Sequence, residues 1–317
     1  MENRSTPAAL IGPVELMARL GRDPLLLLDC RHDLTQPDAA MAAFAGGHIP
    51  GARHAHLDEV LSGPYRPGSG RHPLPDRQAL QERLQAWGLT PATRVVAYDD
   101  AGGCYAARAW WLLRWLGHAR VAVLDGGWQA WCAAGGPQSG TESGTESGTE
   151  SGTQPPDLLP AASETRSGGL AASVPLGLES IAPLEEVADW VDRHLAGRPD
   201  PRALLDARAP QRYAGEGETL DPVAGHIPGA LNRFWKDNLE TDGRFKPAAR
   251  LRAEFLALLG GHRPADLILQ CGSGVTACHH LLALHVAGLE GARLFPGSWS
   301  GWIEDPGRPI AKGMSPG

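Results

Sequence analysis

The chain repeats itself at the scale of a domain. Gly47-His-Ile-Pro-Gly-Ala52 returns letter for letter as Gly225-His-Ile-Pro-Gly-Ala230. Ahead of it Leu27-Leu-Asp-Cys-Arg31 matches Leu204-Leu-Asp-Ala-Arg208, and behind it Gly126-Gly-Trp128 matches Gly297-Ser-Trp299. Between these markers the apolar run that ends at Asp99 aligns with the one that ends at Cys271. Order is kept and spacings differ by a few residues, as in a duplicated domain and unlike a short solenoid repeat. Whatever fold one half adopts, the other must adopt too, and 317 residues suffice for two ordinary domains.

Short apolar runs alternate with amphipathic stretches within each half. In the second half the pattern predicts strands at Ala203–Asp206 and Leu267–Gln270, and helices at Leu184–Leu195, Ala248–Leu259 and residues 277–287. Such alternation implies an α/β fold, each domain a parallel sheet with helices on both faces. Between the halves, residues 138–153 repeat Ser-Gly-Thr-Glu and run into a Pro/Ala/Ser/Gly-rich stretch. That composition cannot bury enough apolar surface to offset its ordering entropy. The expected division is therefore domain 1–137, flexible linker 138–175 and domain 176–317.

Composition narrows the function classes. The net charge of -7 leaves no electrostatic footprint for nucleic acid or an anionic membrane. No apolar run approaches a membrane span, and the N-terminus carries no apolar h-region, so a cytoplasmic protein is expected. The five cysteines are an odd number, with neither C-x-x-C nor zinc-ligand spacing. Free thiols in a reducing compartment are expected, with no disulfide framework, no metal and no cofactor. Cys30 and Cys132 are expected to be small buried hydrophobes.

Cys271 has a different setting. It ends a predicted strand and opens the glycine-bearing loop Gly272-Ser-Gly-Val-Thr276 ahead of a predicted helix. A thiol there faces a helix N-terminus and a ring of backbone N–H groups, both of which favour the thiolate. In parallel sheets the ligand crevice lies beyond the carboxyl ends of the strands, which is where Cys271 falls. Asp99 holds the aligned position in the first half and offers no thiol there. Cys104 lies five residues past it and is expected to be structural.

The repeated Leu-Leu-Asp-x-Arg and Gly-His-Ile-Pro-Gly-Ala, with Cys271-Gly-Ser-Gly-Val-Thr-Ala277 and Gly297-Ser-Trp-Ser-Gly-Trp302, resemble the tandem-domain rhodanese family of sulfurtransferases. The resemblance implies two rhodanese-like domains, of which only the second is catalytic. It also implies a two-step transfer, in which a small-molecule donor places sulfur on the cysteine as a persulfide and a thiol or cyanide removes it. A thiol protein is a further possible acceptor. Cys271 would be the nucleophile, with Gly272, Gly274, Val275 and Thr276 shaping the donor site. The uncharged Gly-Ser-Gly-Val-Thr loop is similar to the 3-mercaptopyruvate branch, where arginines outside the loop hold the donor carboxylate. Arg212 matches the first of these. Ser273, His72 and Asp58 match a Ser-His-Asp relay proposed in that branch; the alternative is that His72 and Asp58 only pin a loop.

Two departures from the family pattern stand out, and other readings are weighed beside them. The segment before Gly225, where that branch has its second arginine, holds no basic residue and two acidic ones, so thiosulfate stays open as donor. Arg233, Lys236 or Arg244 could substitute. Gly301 stands where the family often has glutamate, which should alter packing more than chemistry. A cysteine phosphatase would need an arginine six positions after the nucleophile, where this chain has Ala277. A persulfide carrier or regulatory module docking a partner protein is the non-enzymatic alternative. His48 and His226 recur in both halves, as do Arg31 and Arg208, and all four are expected to be scaffold.

Overall fold

Nearly continuous apolar runs make the strands, as expected where both faces of a sheet are covered. A computed structural model describes residues 8–140 and 179–317. The first half runs β1 (Leu10–Ile11), α1 (Pro13–Arg19), β2 (Leu25–Asp29), α2 (Pro37–Gly46), β3 (Arg53–His54), α3 (Arg77–Ala86), β4 (Arg94–Tyr98), α4 (Ala106–Trp115), β5 (Val121–Leu124) and α5 (Gly127–Ala133). The second half runs α6 (Leu184–Leu195), β6 (Ala203–Asp206), α7 (Pro210–Ala214), β7 (Leu231–Asn232), α8 (Ala248–Leu259), β8 (Leu267–Gln270), α9 (Ala277–Val286), β9 (Arg293–Leu294) and α10 (Ser298–Trp302).

All the strand pairs are parallel, in the order β1-β5-β4-β2-β3 and β7-β6-β8-β9. The two sheets are copies. β2 on β4 corresponds to β6 on β8, and the edge strand β1 on β5 shrinks in the second half to a single Ile181–Leu294 bridge. The fold is the α/β pair that the alternation implied. The strands and helices predicted for the second half fall where expected, the last helix ending at Val286. Among the described residues no helix is long and apolar enough to cross a membrane.

The repeated motifs form one physical unit in each half. Arg31 pairs with Asp29, donates to the Gly47 carbonyl at 2.6 Å and lies over the Trp128 ring. Arg208 does the same with Asp206, the Gly225 carbonyl and Trp299. His48 and His226 direct Nδ1 at the Phe44 and Tyr213 carbonyls. These residues brace the turn on the sheet, which explains why the sequence repeats them as a set.

Helices α4 and α9 pack against each other and join the halves. Residues 106–114 and 277–284 are buried around their whole circumference, and one apolar core includes Trp110 and Leu282 together. A helix apolar on every side needs such double cover. By contrast α6 buries only the Val187, Trp190 and Val191 stripe. Cys132 departs from expectation: it is exposed, on the outer side of α5, whereas Cys30 is buried. The expected linker begins with described residues, where Ser139 pairs with His48; from Thr141 on, its Ser-Gly-Thr-Glu repeats lie outside the described residues.

Candidate active site

The duplicated half acts as an internal comparison for Cys271. In both halves an inner strand, β4 or β8, delivers the residue in question to the start of a loop that feeds a helix. Asp99 fills its own loop: its carboxylate accepts from the N–H groups of Ala101, Gly103, Tyr105 and Ala106 at 2.8–2.9 Å. Burial pushes the Asp99 pKa up, with the four donors opposing. Cys271 occupies the same place with a short thiol, only 2% exposed.

A strained residue holds the Cys271 backbone. Ser298 has φ 51° and is the single non-glycine residue with positive φ among those described. Its hydroxyl accepts from the Cys271 N–H at 3.1 Å and donates to Phe295 O at 2.9 Å. Gly127 is its counterpart in the first half, where a Cβ would come within 2.2 Å of Asp99 O. Gly274 is required too, because at φ +77° its Cβ would meet Pro296 O at 2.5 Å.

The first half reaches over this loop. His72 Nδ1 lies 2.7 Å from Ser273 Oγ, and His72 Nε2 lies 3.4 Å from Asp58 Oδ1. An ionised Asp58 can only accept, so the proton is assigned to Nε2 and Nδ1 accepts from the Ser273 hydroxyl. Burial lowers the His72 pKa to about 4, with Arg71 and Arg108 adding to the effect and Asp58 opposing it. His32 Nε2 lies 4.0 Å from Asp58 Oδ2. His32, His56 and Asp58 are also the one group among the described residues with three potential metal ligands in proximity. His56 Nδ1, however, accepts the Asp58 N–H at 3.2 Å, which puts the ring proton on Nε2 and leaves neither nitrogen free to ligate.

Arg212 sits beside the loop as its motif implied, but it is not alone. A Cβ built on Gly272 would lie 3.4 Å from Arg212 Nη2 and 3.2 Å from Arg71 Nη2. Arg212 pairs with Glu218 and Asp221, and Arg71 also pairs with Asp221. The second cation beside Gly272 therefore comes from the other half. Arg233 is taken up by Glu254, and Arg244 lies over Gly126. Lys236 lines the cleft of about 610 Å³ between the halves, with Cys104, Tyr105, Arg208, Arg212 and Thr276.

Arg108 is a further residue that sequence reasoning passed over. It is wholly buried and donates to the carbonyls of Leu61, His72, Pro73 and Gly274 at 3.2–3.3 Å, tying the His72 segment to the cysteine loop. Val275 is buried behind the loop, and Gly274 O also accepts from Cys278 Sγ. Burial pushes the Cys278 thiol up to about 12 and raises Cys30 and Cys104 well above the ordinary range. Gly301 allows a close approach: a Cβ there would stand 3.2 Å from Gly68 O of the first half.

Comparison with known proteins gives the assembly a family. The rhodanese-like domain model matches residues 12–134 and again residues 187–305. The chain belongs to the rhodanese-like family. Across 308 residues it is 46% identical to the Pseudomonas aeruginosa protein named "Probable 3-mercaptopyruvate sulfurtransferase", covering 96% of this chain and 99% of that one. A thiosulfate sulfurtransferase of Azotobacter vinelandii is 30% identical over 317 residues, 98% of this chain and 99% of the relative. Among solved structures, the 3-mercaptopyruvate sulfurtransferase of Leishmania major superposes with a TM-score of 0.74 at 27% identity, covering 96% of this chain and 77% of that one. Escherichia coli SseA, described as a 3-mercaptopyruvate sulfotransferase, gives 0.69 at 26% identity over 92% and 99% of the two chains. The two rhodanese-like units correspond to the two halves seen in the repeat.

Proposed function

We propose that this rhodanese-like protein is a sulfurtransferase that takes sulfur from 3-mercaptopyruvate onto Cys271 and passes it to a thiol or cyanide. The Cys271 thiolate attacks the donor sulfur, the donor C–S bond breaks, and its electron pair leaves as the enolate of pyruvate. Ser273 and His72 take the donor thiol proton and return it to the enolate carbon. An acceptor thiolate or cyanide then attacks the outer sulfur and frees Cys271. N–H groups of the Gly272–Thr276 loop, equivalent to those Asp99 engages in the first half, supply the sulfur anion's stabilisation.

The 2.7 Å contact between His72 and Ser273, beside the Cys271 loop, carries the choice of donor. An enolate needs a proton on leaving, whereas thiosulfate loses sulfite without one. Two carboxylates, Glu218 and Asp221, also offset the charge of Arg212 and Arg71 beside the loop, which suits a monoanion better than a dianion. The uncharged loop and the resemblance of the whole chain to mercaptopyruvate sulfurtransferases point the same way. We assign residues 176–317 as the catalytic domain, residues 1–137 as its non-catalytic copy and the cytoplasm as its compartment, on the free thiols. The test is kcat/KM for 3-mercaptopyruvate and thiosulfate, side by side, on wild type, Cys271→Ser and Arg212→Ala. Wild type should favour 3-mercaptopyruvate, Cys271→Ser should lose transfer from both donors, and Arg212→Ala should lose most on the carboxylate donor. Retained transfer in Cys271→Ser would overturn the mechanism, and preference for thiosulfate would overturn the donor.

A further inference from the structure

Helix α10 holds two segments at once. The first is the cysteine loop. Ser298 Oγ accepts from the Cys271 N–H, the Trp299 N–H donates to Cys271 O at 3.0 Å, and the Ser300 N–H donates to Gly272 O at 2.9 Å. The second is the strap 64–72 of the first half, which ends on His72. Ser300 Oγ accepts from the Arg71 N–H at 3.0 Å. Two residues past the helix, Glu304 accepts from the N–H groups of Gly68 and Gly70 and from the Tyr65 hydroxyl. Ser300 is thus bonded on one side to the loop of the candidate nucleophile and on the other to the residue before the histidine.

Glycines bring the strap this close. At Gly70, with φ +74°, a Cβ would meet Gly297 O at 2.5 Å and Ser300 Oγ at 2.9 Å, and one on Gly301 would stand 3.2 Å from Gly68 O. Burial gives the strap little hold of its own. Residues 64–68 are exposed, and Pro64, Arg66 and Ser69 border a cavity of about 510 Å³ that Pro183 and Phe295 line from the second half. Its base is closed by the Gly63 N–H on Pro73 O and by Arg108 on the His72 and Pro73 carbonyls. The backbone of 68–71 is left to the bonds from Ser300 and Glu304. We propose that α10 is the spacer that sets His72 against Ser273, with Ser300 and Glu304 as positioning residues for the proton transfer. This rests on the reading of His72 and Ser273 as the proton relay. A displacement of about 1 Å would take their 2.7 Å contact out of hydrogen-bond range. Both residues act through the strap's backbone, so their effect belongs to the rate of transfer and not to the affinity for the donor.

The test follows pyruvate release from 3-mercaptopyruvate in a single turnover, on the full chain. Ser300→Ala deletes the hydroxyl but keeps the N–H on Gly272 O, and should lower the rate at saturating donor about threefold to tenfold, the loss of one hydrogen bond. Glu304→Ala should lose a similar factor, since its carboxylate is exposed, and Glu304→Gln, which keeps one acceptor oxygen, should recover part of it. The donor concentration at half-maximal rate should stay within about twofold in each. In a His72→Gln background, already slowed, neither substitution should lower the residual rate further, because both act through His72. An unchanged rate in the Ser300→Ala/Glu304→Ala double variant, with His72→Gln slow, would overturn the spacer and leave the relay standing. Losses that persist in full without His72 would also overturn it, as damage to the cysteine loop itself. A failed relay looks different: His72→Gln would release pyruvate at the wild-type rate, and the spacer would fall with it.

Discussion

The acid limb of the pH–rate profile should report His72. If His72 must be neutral to accept the donor proton through Ser273, kcat/KM follows the neutral fraction in the free enzyme. Burial, reinforced by Arg71 and Arg108, sets its pKa at about 4 instead of 6.5. At about pH 5.5 a histidine of ordinary pKa would be about nine-tenths protonated and the rate down about tenfold, whereas one titrating near 4 loses only about 3%. The two cases separate by an order of magnitude at a pH where a folded protein can still be assayed.

Variants assign the limb. Asp58 lies 3.4 Å away and opposes the depression, so Asp58→Asn should move the limb to lower pH. Its side chain is 48% exposed, so the move should stay under about one unit. Arg71→Gln removes a cation that lowers the pKa and should move the limb the other way. Initial rates with 3-mercaptopyruvate from about pH 4 to 8, with circular dichroism confirming the fold at each point, decide the matter. A wild-type midpoint near 6.5 would refute the burial argument. A low midpoint that neither variant moves would remove His72 from the proton path.

Other consequences follow from the same contacts. Ser298→Gly relieves a left-handed conformation worth about 1–2 kcal/mol while deleting the hydroxyl that holds the Cys271 N–H, so the melting temperature should hold or change little and kcat/KM should fall. Gly274→Ala combines that conformational cost with a collision at Pro296 O and should destabilise by about 2–4 kcal/mol, read from urea unfolding. Arg108→Met removes the guanidinium shared by four carbonyls, of which Gly274 O and Pro73 O keep a second donor, and should cost about 2–4 kcal/mol, with kcat/KM falling as the His72 segment loses its anchor. His279 and His280 are fully buried with pKa values lowered by burial to about 3, so the unfolded chain takes up protons that the folded chain refuses. The stability they contribute is complete above pH 6.5 and is lost as pH falls toward 3; at about pH 5 each should have cost about 2 kcal/mol, measurable by urea unfolding at both pH values.

What the sequence disclosed depended on the range of the interaction. Strand β8, its cysteine and the glycine loop are contiguous, so periodicity and the turn residues located them together. Arg31 and Arg208 were legible as scaffold because duplication displayed them twice. Arg71 was not, because its meaning lies in contacts with Gly272 and Asp221 from the other half, and no local pattern encodes them. The acidic pair before Gly225 was visible as a departure, yet only the fold shows Asp221 shared by two arginines. Arg108 did leave a signal, a cation within the apolar run Ala-Ala-Arg-Ala-Trp-Trp, since a buried charge requires partners. Its partners, carbonyls from both halves, were beyond reach. Cys132 went astray for a simpler reason: cysteine is buried on average, and nothing in its composition marks the outer turn of α5.

The duplication also explains why the halves cannot be separated in function. In the first half Asp99 consumes the loop N–H groups, so that copy has closed its own cradle. The same copy contributes His72, Asp58, Arg71 and Arg108 to the loop of the other. Arg108 enters from α4, which packs on α9, and Asp58, Arg71 and His72 enter on the segment between β3 and α3. Residues 176–317 alone would expose the apolar face of α9 and would keep the Cys271 loop without the His72 ring that meets Ser273. Covering α9 with an unrelated apolar helix would restore the fold at most, since the side chains above the cysteine loop arrive on the segment 58–72. Two copies of one fold thus build a single candidate site between them, with Asp99 filling in the first half the place that Cys271 holds in the second.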